Sequence, residues 1–74
     1  MPDVTITNAI RRLRFEHGEM TQQDLAVRIG VSRQTVNAIE TGKYWPSLEV
    51  AFRIAEVFGR RVDEVFGYER SAGR

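Results

Sequence analysis

An all-α fold, a compact bundle of five helices, is predicted by three observations. Apolar residues recur at helical spacing along most of the chain, as Leu25, Ala26 and Ile29 do, and again Val36 and Ile39. Gly18, Gly30, Gly42, Gly59 and Gly67 each follow one of the five periodic stretches, where a helix stops most easily. The chain of 74 residues is long enough for one small core and too short for two. The expected organisation is an N-terminal arm (1–7), one domain (8–67) and a flexible C-terminal tail (68–74).

Composition narrows the function. There is no cysteine, which excludes disulfides, zinc-thiolate sites and a cysteine nucleophile. The opening MPDVTITN has no apolar run, so neither a signal peptide nor a membrane span is expected, and a cytoplasmic protein is. Net charge is only +1, so a nucleic-acid partner would have to be served by the distribution of charge rather than its sum.

In the arm, Val4 and Ile6 alternate with polar residues, and two readings stay open: a short edge strand or a frayed end. The first predicted helix starts at Asn8, with Ile10, Leu13 and His17 on one face, Thr7 as its cap and Gly18 as its stop. Arg11, Arg12 and Glu16 face mostly water. His17 is the only histidine and stands at the last turn, where an imidazolium meets the negative end of the helix dipole. A capping or packing role fits it better than catalysis, and one histidine without a ligand cluster makes no metal site.

Thr21 caps the second predicted helix. Its first turn, Gln22 and Gln23, offers free backbone N–H groups, a positive dipole end and amide side chains suited to a phosphate oxygen. The plain alternative is a capped helix with two solvated glutamines. Gly30 must then turn in the left-handed region, Val31 bridges the two apolar stripes, and Ser32 caps the third predicted helix, Arg33 to about Glu40. Ala26 is small where two helices meet steeply over so short a turn. The stretch QQDLAVRIGVSRQTVNAIETGK is therefore a helix-turn-helix.

Val36 and Ile39 hold the inner face of the third helix and leave Arg33, Gln34, Asn37 and Ala38 outside, near its N-terminus. An arginine fork matches guanine O6 and N7, glutamine and asparagine amides match adenine N6 and N7, and small apolar groups such as Ala38 or the Thr35 methyl meet a thymine methyl. Ser32 and Thr35 equally suit phosphate. Taken alone, these residues also describe an ordinary solvated helix face.

Beyond Gly42, Lys43 to Pro46 form a loop, and Ser47 caps a fourth helix from Leu48 to Phe58. Leu48, Ala51, Phe52, Ala55 and Phe58, widened by Ile54 and Val57, are expected in the core, with surface to spare for a partner. Gly59 ends this helix, and a short fifth carries Val62, Val65 and Phe66 inward before Gly67. In the tail YERSAGR, Tyr68 is placed either back against the core or across a dimer.

These residues resemble the Cro/repressor-type (Xre-like) helix-turn-helix DNA-binding regulators of bacteria and phages. The likeness runs from about Asn8 to Phe66, and MTQQDLA, GVSRQTVNAIETGKYWPSLEVAF and DEVF carry it. It implies a lambda-repressor-like domain that binds double-stranded DNA. Base reading falls to Arg33, Gln34, Asn37 and Ala38, and backbone contact to Thr21, Gln22, Ser32, Thr35, Lys43 and Tyr44. Tyr44 has packing against the core as its alternative. Ala26 and Gly30 are structural, and Arg14 is paired with Glu40. Trp45 stands where a small polar residue is expected, and Arg61 where a serine-like cap is.

The implied function is transcriptional regulation, as a repressor in the nucleoid, without a cofactor. A homodimer on a palindromic operator follows from the few base pairs one domain can read, with half-sites roughly 34 Å apart. An enzyme is disfavoured, because the glycines are spread as helix stops and no catalytic set is evident. The stronger competitor is an antitoxin-like module that keeps the fold and binds a regulatory protein partner. Phosphate-based binding weakens steeply with salt, and an apolar protein interface need not.

Overall fold

The computed structural model describes residues 4–70; the outermost parts of the expected arm and tail lie outside them. Five helices appear in the expected order: α1 (Ile10–Glu16), α2 (Gln22–Ile29), α3 (Arg33–Glu40), α4 (Leu48–Phe58) and α5 (Val62–Val65). They are flanked by two strands, β1 (Val4–Asn8) and β2 (Phe66–Arg70), which pair antiparallel with Val4 opposite Arg70, Ile6 opposite Tyr68 and Asn8 opposite Phe66. The all-α expectation is corrected by this small sheet. Val4, Thr5, Ile6 and Thr7 are β-branched and fit a pleated surface, but their partner lies some sixty residues away, beyond the reach of local pattern.

Two further expectations change with the sheet. Thr7 belongs to β1 and does not cap α1. The Asn8 side chain instead accepts from the Ile10 N–H at 3.1 Å. Gly67 is a strand residue opposite Thr7 rather than a helix stop, and α5 ends at Val65. A Cβ at Gly67 would come within 2.5 Å of the Thr7 hydroxyl oxygen, so any larger residue there forces the Thr7 side chain to shift.

The other caps are formed as local chemistry dictates. Thr21 and Asp24 make a reciprocal capping box, with Asp24 N–H donating to the Thr21 hydroxyl (2.9 Å) and Thr21 N–H donating to the Asp24 carboxylate (3.2 Å). The Ser32 and Ser47 hydroxyls accept from the N–H groups of Thr35 and Val50 at 3.1 and 3.2 Å. At α5, the N–H of Arg61 donates to Glu64 (2.8 Å), and its guanidinium pairs with Asp63. No side chain caps α5 from Arg61, and the Glu64 N–H that a hydroxyl would have taken donates to the Arg61 carbonyl at 2.9 Å.

Ile10, Leu13, Met20, Leu25, Ala26, Ile29, Val36, Ile39, Ile54, Ala55, Phe58 and Val65 form the core, contributed by all five helices and the loop after α1. Each large aliphatic side chain among them contributes about 1.5–3 kcal/mol through burial. His17 packs its ring edge-on to Phe58, centroids 5.1 Å apart, with Nδ1 2.9 Å from the Leu13 carbonyl. Leu48 and Phe52 are corrected from core to surface, at 72% and 57% exposure. The buried stripe of α4 is narrower than its apolar sequence, and runs through Ala51, Ile54, Ala55 and Phe58.

Candidate nucleic-acid interface

The turn between α2 and α3 follows from one backbone requirement. Gly30 ends α2 at φ 78°, and the N–H groups of Gly30 and Val31 both donate to Ala26 (2.9 and 3.0 Å). The fully buried Ala26 lets the two helices cross there. Arg53 of α4 reaches the same corner and donates from Nη1 to the Ile29 carbonyl at 3.1 Å. A long side chain from a third helix thereby satisfies one of the carbonyls left open at the end of α2.

This corner presents α3 outward. Arg33, Gln34 and Asn37 are exposed, Thr35 and Ala38 half-buried, and Val36 and Ile39 buried beneath them. Ser32 is exposed beside Thr35, and their hydroxyls pair at 2.9 Å, so each has at most part of its capacity left for a phosphate. Lys43 and Tyr44 are exposed in the following loop, which decides against Tyr44 as a core residue. Trp45 is also exposed, and it lines a surface groove with β1 and the end of α3.

Behind the exposed face lies a polar network. Arg14 and Glu40 form a two-pronged ion pair, Nε to Oε2 at 2.5 Å and Nη2 to Oε1 at 3.1 Å. Arg14 also donates to the Met20 carbonyl at 2.7 Å. Its side chain is 15% exposed and that of Glu40 is 7%, so this pair is nearly desolvated and its geometry is fixed. Gln22, at the start of α2, donates both amide hydrogens inward: one to Glu40 Oε1 (3.2 Å) and one to Asn37 Oδ1 (3.1 Å). Its side-chain nitrogen is thus occupied. The backbone N–H groups of the first turn remain the donors that α2 can turn to an anion.

Three residues that carry this arrangement escape a sequence reading. Asn8 donates from Nδ2 to the carbonyls of Ile39 (3.0 Å) and Glu40 (3.4 Å), closing the end of α3 from the opposite side of the chain. Arg53 serves α2 as described; only its spacing from Glu49, with which it pairs at 2.6 Å, is visible locally. Arg11 lines a shallow depression of about 390 Å³ with Arg14, Gln22, Asn37, Glu40 and Thr41, at the edge of the α3 face.

The cations sort by position. Arg12, Arg14, Arg53, Arg60 and Arg61 each pair with a carboxylate, whereas Arg11, Arg28, Arg33, Lys43 and Arg70 form no ion pair with another described residue. A net charge of +1 therefore conceals free cations, of which Arg11, Arg33 and Lys43 stand on and around α3. Among the described residues no cluster of metal-binding side chains occurs, and no helix is long and apolar enough to cross a membrane.

A helix-turn-helix family model matches residues 10–65, from the first residue of α1 to the last of α5. An uncharacterized HTH-type transcriptional regulator of Methanocaldococcus jannaschii is 52% identical over 62 residues, covering 84% of this chain and 92% of its own length. A second, of Archaeoglobus fulgidus, is 45% identical over 60 residues, covering 81% and 84%. A third, of Bacillus subtilis, is 42% identical over 62 residues, covering 84% and 92%. These matches span the capped corner, the outward-facing α3 and the network behind it, and the chain belongs to the Xre-like helix-turn-helix family.

Proposed function

We propose that the protein is a DNA-binding transcriptional regulator, a repressor, which inserts the N-terminal half of α3 into the major groove. The observation that carries this reading is the composition of that face. Arg33, Gln34 and Asn37 stand exposed on a helix held rigidly from behind, with unpaired Arg11, Arg33 and Lys43 around it. Such a face supplies hydrogen-bonding groups for base edges and cations for phosphates. Thr21, Gln22, Ser32, Thr35, Lys43 and Tyr44 are its backbone contacts, through main-chain N–H groups in the case of Gln22.

Specific binding proceeds as a homodimer on a palindromic operator, since one reading helix covers only a few base pairs. The exposed Leu48 and Phe52, with the open groove beside Phe52, Ala55 and Val62, favour a protein contact on the side of α4 and α5. The same feature supports the second reading, a module whose main ligand is another protein. Binding to duplex DNA across a salt series separates the two. Affinity that falls linearly in log salt, with a slope reflecting several phosphates, supports the regulator. No salt-dependent duplex binding selects the protein-interaction module.

A further inference from the structure

We infer that the outer edge of β1 is a docking site for a partner protein, which adds an uncharged extended segment as a third strand between β1 and Trp45. The inference does not depend on the DNA reading.

The direction of the free main-chain groups follows from one hydrogen bond. The Ala9 N–H donates to the Val65 carbonyl at 2.8 Å, and the register continues this pairing through Thr7 opposite Gly67 and Thr5 opposite Glu69. In an antiparallel pair, positions that exchange hydrogen bonds alternate with positions whose N–H and C=O point away from the partner strand. Thr5, Thr7 and Ala9 are therefore the bonded positions, and the N–H and C=O of Ile6 point outward, as does the carbonyl of Val4. The sheet has two strands, and no turn or loop among the described residues bonds to the main chain of Val4 or Ile6.

Native sheets blunt such edges with charge, and β2 does so through Glu69 and Arg70. Val4–Asn8 carries neither a charge nor a proline. Its edge opens on a groove of about 480 Å³, across which stand Thr41, Gly42 and Trp45. All five residues of β1 line this groove although their side chains alternate between two faces, so it follows the edge rather than one face. Asn8 fixes the spacing of the two walls at one end, donating to the carbonyls of Ile39 and Glu40 at 3.0 and 3.4 Å.

The lining selects the occupant. Free N–H and C=O groups in a row call for an extended backbone. Among the described residues that line the groove only Glu40 is charged, and its carboxylate is taken by Arg14 and Gln22, so a charged segment gains nothing there. Trp45, 64% exposed, offers a ring to an apolar side chain. A second copy of this chain fits badly, because its β1 would arrive with β2 bonded to its far edge, about 4.8 Å further out, where Trp45 stands.

The test is selection of binders from a displayed library of random linear peptides by the intact wild-type chain, with the selected sequences then synthesised free of tryptophan. Trp45 is the only tryptophan of the chain, and its emission is expected to shift to shorter wavelength as the peptide covers it. Methylating the peptide's main-chain nitrogens one at a time is expected to abolish binding at every second residue and spare the residues between. Ile6→Pro removes an outward N–H while leaving the ladder with β2 intact, and is expected to weaken the peptide roughly tenfold. Trp45→Ala, read by calorimetry, weakens it without altering the strand. If circular dichroism shows that Ile6→Pro does not fold, Trp45→Ala and the methylation pattern decide. Failure to select any peptide, an unshifted emission, binding indifferent to folded Ile6→Pro or to Trp45→Ala, or sensitivity to methylation at consecutive residues overturns the inference. So does wild-type self-association that Ile6→Pro abolishes, which would give the edge to a second copy.

Discussion

Individual side chains divide by whether their partner is near in sequence. Thr21, Ser32 and Ser47 cap helices through N–H groups three residues on, and their roles are legible from spacing alone. Asn8 closes α3 from 31 residues away, and Arg53 reaches Ile29 across 24, so neither role could be read from local pattern. The contacts proposed for Lys43 and Arg33 are of two kinds. Arg33→Ala is expected to weaken binding to the best site by about 1–3 kcal/mol and relax preference at one base position, whereas Lys43→Ala weakens all duplexes alike and lowers the salt slope by about one. Competition with random DNA checks this; equal loss on specific and random duplexes for Arg33→Ala contradicts its role. Gly67 makes a residue-scale prediction about stability. A methyl group there meets the Thr7 oxygen, so Gly67→Ala is expected to destabilise by about 1–3 kcal/mol, and adding Thr7→Ala restores most of it. Denaturant titration of the two single variants and the double variant measures the coupling, and strictly additive effects would show that the clash is absent.

At the scale of elements, the order of all five helices follows from apolar period, and the bounds of α2, α3 and α4 from the caps Thr21, Ser32 and Ser47 and the stops Gly30 and Gly59, because those signals lie within a dozen residues. The strands do not, because β1 and β2 are defined only by each other, across nearly the whole chain. Helix α4 shows a different limit. Its apolar residues wrap too far round for one buried stripe, and periodicity alone leaves undecided that Ala51, Ile54 and Ala55 go inward while Leu48 and Phe52 stay out. The joint between α1 and α3 is the most consequential contact between elements, since the Arg14–Glu40 pair anchors the network under the exposed face of α3. Glu40→Ala leaves the largely buried Arg14 guanidinium without its partner and is expected to destabilise by about 3 kcal/mol. Thermal unfolding checks it, and an unchanged melting temperature would mean that the pair is no stronger than a solvated one.

Over the whole molecule, the sign and size of net charge say little, and the pairing of charges says more. Arg11 and Arg12 are neighbours on α1, yet Arg12 pairs with Glu16 at 3.3 Å while Arg11 lines the depression beside Gln22 and Asn37. Arg11→Gln and Arg12→Gln change net charge equally, but only Arg11→Gln is expected to lower the salt slope of DNA binding, by about one. Equal slopes for the two variants would mean that position is irrelevant and that only total charge counts. Helix α4 carries the exposed Leu48 and Phe52, and Leu48→Gln with Phe52→Gln is expected to leave the core intact and shift sedimentation toward monomer. A wild type that sediments as a monomer both free and on its operator removes the dimer from the account. The central claim is that α3 reads sequence in duplex DNA, and selection from a random duplex library at low and moderate salt tests it most directly. The account predicts an enriched palindrome whose preference changes in Arg33→Ala or Gln34→Ala; duplex binding with no enriched motif, or no binding, contradicts it.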